Sequence, residues 1–343
     1  VTAPAVRLVV GGSELEGWES FEIESNLLTP ADAFSFTAAN IAGELAGIVN
    51  PGDSAKVVVD GEVQMDGFVD EVAYHDGRIV ITGRDQMGQL VDCSAEPRSY
   101  GKMKLDTLAE KIAGAWVPVW QVDPLVTLTL HSYIKVDGGE SVWDVLARLA
   151  RKDKTLLWLD AQGVGHIGRP TYTGAVVHAI RHCTLAGGQR SNVWEPEVTL
   201  SGRDRFSSLT VIGSSGNTRG TWGSSALQSR TVDDDEVPNS RRLIVPDGDT
   251  KTLKQAQDKA EDDVERRFFE GTTARYTAPG FCGEPAVKGA TPALFQIDQR
   301  VSLLDEYAGL DGVYYCTARQ FRCSLEDGYT TRLELHPDGV WMP

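Results

Sequence analysis

Two histidines and a cysteine come nearest to a metal-binding pattern in this chain. VVHAIRHC sets His178 and His182 four residues apart, with Cys183 beside the second. On a helix that spacing puts both imidazoles on one face, and zinc takes such nitrogen and sulfur ligands. The surrounding valines and isoleucine alternate instead, which predicts a strand, and spacing places no third ligand. Two ordinary strand histidines are the expectation, with a metal site as the alternative. GVGHIG (163–168) spells G-x-G-x-x-G, but Arg169-Pro170 follows where a dinucleotide site needs a helix N-terminus, so a hairpin is expected. The run DDDE (233–236) offers carboxylates to calcium yet lacks the Asp-x-Asp-x-Asp-Gly spacing with a distal Glu; a solvated acidic loop is expected.

Catalytic signals are equally thin. With 49 Asp and Glu, some carboxylate pair always sits close enough to imitate a glycosidase. No G-x-S-x-G, H-E-x-x-H or Walker lysine occurs. Trp116, Trp120, Trp143, Trp158, Trp194 and Trp222 could stack sugars, though core and interface packing is the commoner use of tryptophan. No catalytic, cofactor-binding or metal-ligating residue is assigned, no cofactor is expected, and the protein reads as architecture, not as an enzyme.

Composition narrows the class further. The 343 residues suffice for two or three domains, and 41% hydrophobic content supports ordinary cores. A formal charge of −16 disfavours a grip on nucleic acid, which needs clustered Lys and Arg. No apolar run is long enough to predict membrane insertion, and VTAPAVRLVVGG lacks the regions of a signal peptide. Five scattered cysteines with no Cys-x-x-Cys pair argue against a disulfide scaffold or zinc ribbon, and for assembly in a reducing compartment.

The elements that must carry any site are mostly strands. FEIES and AFSFTA put Phe21 with Ile23, and Phe34 with Phe36, on single faces; AKVVVDG, GFVDEVAY and RIVITG follow. KLDTLAEKIAG predicts a short helix through Leu105, Leu108 and Ile112. GGESVWDVLARLARKDK predicts a stronger one, with a Ser141–Asp144 capping box and Val142, Val145, Leu146 and Leu149 on its apolar face. GSSGNTRGTWGSSALQS reads as a flexible loop. DGDTKTLKQAQDKAEDDVERRFFEG reads as a long helix with Leu253, Ala256, Ala260, Val264 and Phe268 on one side.

An internal echo runs through the β segments. Asp53 matches Asp298, and Asp66-Gly67 matches Asp311-Gly312 at the same separation; Asp76-Gly77 then matches Asp327-Gly328 across a longer hairpin. Each Asp-Gly is read as a turn. ADAFSFTA (31–38) and RDRFSSLT (203–210) share Asp, Phe and Ser at matching steps. The echo favours one module built twice, the second copy interrupted, over a coincidence of β-rich composition.

The order of ITGRDQMGQLVDCSAEP (81–97), GGESVWDVLARLA (138–150), SGRDRFSSLTVIGSSGN (201–217), a long charged helix and TRLELHP (331–337) resembles the baseplate hub proteins of Mu-like phages. The resemblance implies a mainly β fold with α+β insertions and two similar tube-type β-barrels, the second discontinuous. Its domains would be a first barrel at 1–95, a small α+β domain at 96–170, a second barrel in two parts at 171–213 and 273–343, and a loop plus long helix inserted at 214–272. It implies a homotrimer in the virion's tail baseplate, an adaptor between the tail tube protein and the central spike protein, in contact with other baseplate proteins. DNA would pass through its channel without specific binding. The segment 271–296 looks long and glycine-rich for that plan, as an added surface loop would be. A carbohydrate-binding or cell-wall-degrading β protein of a tail tip, and a generic adhesin or fibre domain, stay open as alternatives.

Overall fold

The computed structural model describes residues 4–41, 43, 47–169, 174–184, 188–215, 227–238 and 240–339. Trp222 and most of the loop expected at 213–229 lie outside the described residues. The chain forms two compact units, Val1–Pro196 with Arg275–Leu335, and Glu197–Ala274 with His336–Pro343.

The first unit begins with β1 (Val6–Val10), β2 (Ser13–Leu15), β3 (Ser20–Asn26), β4 (Ala33–Ala39), β5 (Ser54–Val59), β6 (Glu62–His75) and β7 (Arg78–Asp85). Strict alternation dictates these strands: Phe21, Ile23 and Ser25 point inward from β3, and Phe34, Phe36 and Ala38 from β4. A segment of mixed helix and strand follows, with α1 (Met87–Asp92), β8 (Ser99–Tyr100), α2 (Leu105–Ala113), β9 (Trp120–Val122), β10 (Ile134–Lys135), α3 (Val142–Asp153), β11 (Leu156–Leu159) and β12 (Gly165–Gly168). Ser141 and Asp144 form the reciprocal cap of α3, and its predicted apolar face packs into one core with α1 and α2. The six-residue α1 was not anticipated; the Asp85 carboxylate starts it by accepting the Met87 amide at 2.9 Å.

The chain then returns to strands with β13 (Val176–His182) and β14 (Trp194–Leu200). β15 (Ser208–Ser214), β16 (Leu227–Asp233), β17 (Arg242–Pro246) and α4 (Leu253–Gly271) make up the second unit's framework. β18 (Thr272–Pro279), β19 (Cys282–Gly283), β20 (Ala293–Leu294), β21 (Gln299–Asp305), β22 (Leu310–Ser324) and β23 (Gly328–Pro337) close the chain. In the second unit a three-stranded sheet, ordered β16-β15-β17, buries Leu209 and Val211 against Ala256 and Ala260 of α4. Thr252 and Gln255 cap that helix reciprocally. Its buried aromatic is Phe269, stacked 3.9 Å from His336, whereas the expected Phe268 lies under the Arg205 guanidinium. Within 271–296 the connection between β19 and β20 is largely exposed.

Strand order carries the echo more clearly than the Asp-Gly pairs do. Neighbouring strands run β3-β4-β7-β6-β5-β1 in one set and β14-β18-β23-β22-β21-β13 in the other. Taken in chain order, the first to sixth strands of each set occupy the same places. Both sets centre on one long strand, 14 residues in β6 and 15 in β22. They differ at the outer strand, where β1 pairs β5 antiparallel and β13 pairs β21 parallel.

Several residue-level expectations need correction. Asp66-Gly67 is not a turn: it sits inside β6, with Lys56 opposite Asp66, and the turn is Asp60-Gly61, both with positive φ. Asp311-Gly312 likewise lies inside β22. Gly67 is needed because β7 passes so close that a β-carbon would stand 1.9 Å from the Arg84 carbonyl oxygen; nothing lies within 4 Å at Gly312. Asp53 and Asp298 do occupy like positions, just before β5 and β21, and Asp76-Gly77 and Asp327-Gly328 do lie at hairpin ends. The match of 203–210 to 31–38 fails, since β15 is the centre of the separate three-stranded sheet and β18 holds the place of β4.

Gly67→Ala should therefore cost about 1–3 kcal/mol through forced separation of β6 and β7, and Gly312→Ala should be near neutral. Denaturant unfolding of the two variants beside the parent checks this.

Candidate functional site

The residues with chemical potential are dispersed onto structural partners. His178 and His182 lie on β13, where four residues of extended chain separate them along the strand instead of bringing them together. His178 Nε2 is 3.2 Å from Gln299 Oε1, and burial pushes its pKa down. His182 Nδ1 is 3.1 Å from the Asp305 carboxylate, which also accepts the Tyr276 hydroxyl at 2.7 Å. Cys183 is buried, and burial raises its thiol pKa. The chelating alternative has no geometric support among the described residues.

GVGHIG forms the β11–β12 hairpin, and Gly165 and Gly168 make room for the Trp120 and Trp158 rings. The DDDE run is more than a solvated loop: Asp234 and Glu236 both hold Arg205 at 2.9 Å. Trp120 is buried, Trp116 and Trp143 pack on the same core, and Trp158 stacks on His166. Only Trp194, among the described members of that group, is strongly exposed.

The polar cluster that sequence reasoning missed lies where the two strand sets meet. Ala318–Cys323 of β22 pairs antiparallel with Phe21–Asn26 of β3, joining one set to the other. Phe281 stacks on Phe321 at 4.5 Å and meets Phe21 edge-on at 6.0 Å, so the seam is aromatic on its inner face. Arg322 and Glu22 pair at 3.1 Å across the seam's outer face. Arg319 is 2% exposed, lies 4.0 Å over the Phe321 ring and donates from Nη2 to Gln64 Oε1 at 3.1 Å. It borders a cavity of about 590 Å³ lined also by Ser25, Asp32, Gln64, Gln296 and Asp298. Its inward direction was legible, because Arg319 shares the parity of Phe321 in a strand.

Burial sets the charge states here. Desolvation lowers the Arg319 pKa to about 10 and raises that of Asp32 to about 6, although the Asn26 amide donates to Asp32 at 3.0 Å. Asp85 is also held well above the usual carboxylate range, by burial and then by Asp32.

Each of the two sets also leaves a strand edge uncovered. Glu62–Phe68 of β6 pairs with β5, and Gly67–His75 pairs with β7 on the other side. Beside Asp70–His75, no strand among the described residues takes the edge that β5 leaves. Among the described residues β14 ends its set, with β18 on one side only, and six of its seven residues, all but Val198, are exposed. Tyr74, Trp194 and Leu200 are 49%, 40% and 60% exposed.

Because Asp32 binds its proton more tightly when folded, it contributes stability that is complete below its unfolded pKa and disappears as pH rises through about 6. Melting temperature should climb as pH falls from 7 toward about 4.5, and Asp32→Asn should flatten that climb. Thermal melts across this range test it.

With the geometry in hand, comparison with known proteins is informative. Residues 5–85 match the family described as Mu phage baseplate assembly protein GpP-like, N-terminal. Residues 87–169 match the second domain of baseplate hub protein gp44-like, and 271–340 the tail protein C-terminal domain. The baseplate hub protein gp44 of Escherichia phage Mu is 23% identical, over 98% of this chain and 89% of that protein. The tail protein from Neisseria meningitidis MC58 superimposes with a TM-score of 0.81 at 26% identity, covering 99% of this chain and 98% of that one. The 43 kDa tail protein of prophage MuSo2 from Shewanella oneidensis gives 0.79 at 24%, covering 97% and 98%. With these matches falling in chain order, and with a mainly β fold shared along nearly its whole length, the chain belongs to the baseplate hub proteins of Mu-like phage tails.

Proposed function

We propose that this hub protein works as a homotrimeric adaptor between a sixfold tail tube and a threefold central spike. The observation that carries the reading is the repeated strand order. A closed trimer of a chain with two similar β units presents six similar units while keeping threefold symmetry. One rim can then match six tube subunits and the other three spike chains. Each strand set is proposed to curl into a tube-type barrel, the first within 1–95 and the second in two parts. Strand order supports an interruption of the second barrel that starts after β14, earlier than residue 214, and ends at β18. The α+β segment at 96–170 follows the first barrel as a domain of its own.

Charge favours passage over capture. Three copies carry three times the −16 of one chain. Duplex DNA carries about one negative charge per 1.7 Å, so an acidic or neutral channel wall lets it slide where a basic wall holds it. The role is structural: His182, Tyr276 and Asp305 bond to one another, and Arg319 lies on the Phe321 ring and bonds to Gln64. Virion localisation follows from the tail assignment, and the scattered free cysteines suit assembly in the host cytoplasm.

A solution mass of about 112 kDa, three times 37.3 kDa, is expected from sedimentation or light scattering. A dimer or tetramer at every concentration would remove the symmetry argument. Mobility-shift titration with duplex DNA at low salt should show no retention, and tight binding there would overturn the sliding channel.

A further inference from the structure

We infer that the cavity beside Arg319 is a binding site for a neutral sugar residue, with the Trp158 ring as its platform and Gln64, Gln296 and Arg319 as its polar wall. The cavity lies wholly within the first unit, where the start of β6, the β11–β12 hairpin and the chain leading into β21 come together. Its volume of about 590 Å³ falls in the range of small-molecule sites. Polar side chains outnumber apolar ones along its wall, which separates it from a packing void.

Three irregularities converge on this cavity. β6 and β5 shift register between Val57 and Val58, and Gln64 is the extra residue of that bulge, buried next to an equally buried Met65. A bulge re-aims one side chain at the expense of a ladder position. Here the re-aimed group is the amide whose oxygen accepts from Gln296 at 3.0 Å and from Arg319 at 3.1 Å. Asp298 has a φ of +60°, left-handed for a residue with a β-carbon. Its amide on the Cys316 carbonyl at 3.0 Å and the Tyr315 hydroxyl on its carboxylate hold it there. Asp53, its counterpart in the first set, has no such backbone. Arg319 is the third: Nε and Nη1 of this buried guanidinium meet no acceptor among the described residues. Strain and unmet donors gathered at one cavity are what a binding site retains and a scaffold sheds.

The lining selects the chemistry of the ligand. Trp158 and His166 are cross-strand neighbours whose rings lie nearly parallel, 5.3 Å apart. Asp160 stiffens that platform: His166 Nε2 lies 3.0 Å from its carboxylate, and the Gln162 and Val164 amides donate to it at 2.9 Å. An indole face takes the C–H face of a pyranose, while the planar amides of Gln64 and Gln296 pair with adjacent hydroxyls. Charge excludes the alternatives. Asp32, Glu62, Asp160 and Asp298 share the wall with a single guanidinium, so a phosphate or sulfate is repelled. The buried guanidinium in turn disfavours an amine or a metal ion. An uncharged polyol meets neither objection. The inference is binding without turnover, because Asp160 is committed to His166 and Asp298 to Tyr315.

Titration calorimetry of the full chain with chitotriose, maltotriose and cellotriose tests this. At least one should bind with a Kd of about 1 mM or lower. Trp158→Ala should weaken that binding by roughly tenfold or more. Ala161→Trp, on the hairpin turn, should abolish it by filling the cavity, with circular dichroism and melting unchanged because no core group is removed. Absence of binding by all three sugars overturns the inference, and so does binding that survives both substitutions. Spermidine or inorganic phosphate bound more tightly than every sugar overturns the neutral-ligand assignment. None of these results bears on the trimer, which sedimentation tests separately.

Discussion

The seam between β22 and β3 is the contact on which the first unit depends. It is a strand pairing, so it fixes register as well as proximity: a one-residue slip of β22 against β3 would turn Phe321 and Arg319 out to solvent and Arg322 inward. The aromatic group beneath it supplies the driving force, with each buried ring worth about 1.5–3 kcal/mol. Arg319 works against that gain. Burying a guanidinium costs several kcal/mol unless its donors are met, and here a ring face, one amide oxygen and a nearby carboxyl do part of that work. Such a group specifies one arrangement more than it strengthens it, because any slip would leave the cation with fewer partners.

That specificity matters because the two strand sets are alike enough to compete. If β3 and β14 were interchangeable, either could pair with either long strand, and chains would join in open, irregular ways. The inner seam is distinguished by an Arg–Glu pair and an aromatic stack, whereas the outer edges carry carboxylates and a kinked, proline-bearing strand. Within a chain, the inner seam also benefits from high effective concentration. Pairing within the chain is thereby favoured over pairing between chains.

The sequence showed strands where alternation was strict and helices where caps were explicit, as in β3, β4 and α3. It misled where one residue type serves two physical ends. Asp-Gly marks a hairpin at Asp76-Gly77, but in β6 the glycine admits a neighbouring backbone, and a single sequence does not distinguish the two uses. The 203–210 segment shared residue types with 31–38 because both are amphipathic strands, yet long-range pairing placed β18 in that position. Arg319 was passed over because arginine is ordinarily read as surface; its parity with Phe321 was the available signal.

Divergence between the sets falls at their margins. The β3–β4 connection is short, tied by Asp32 to the Asn26 amide and by the Asn26 side chain to Leu28. The equivalent connection, between β14 and β18, instead holds β15, β16, β17 and α4. The outer strand also changes direction, antiparallel at β1 and parallel at β13. None of these differences touches the long central strands or the hairpin that follows each of them. A loop insertion or an outer strand can change without disturbing a shared core, because the cost of a longer connection grows only slowly with its length. The centres of the two sets are thus free to stay alike while their margins diverge.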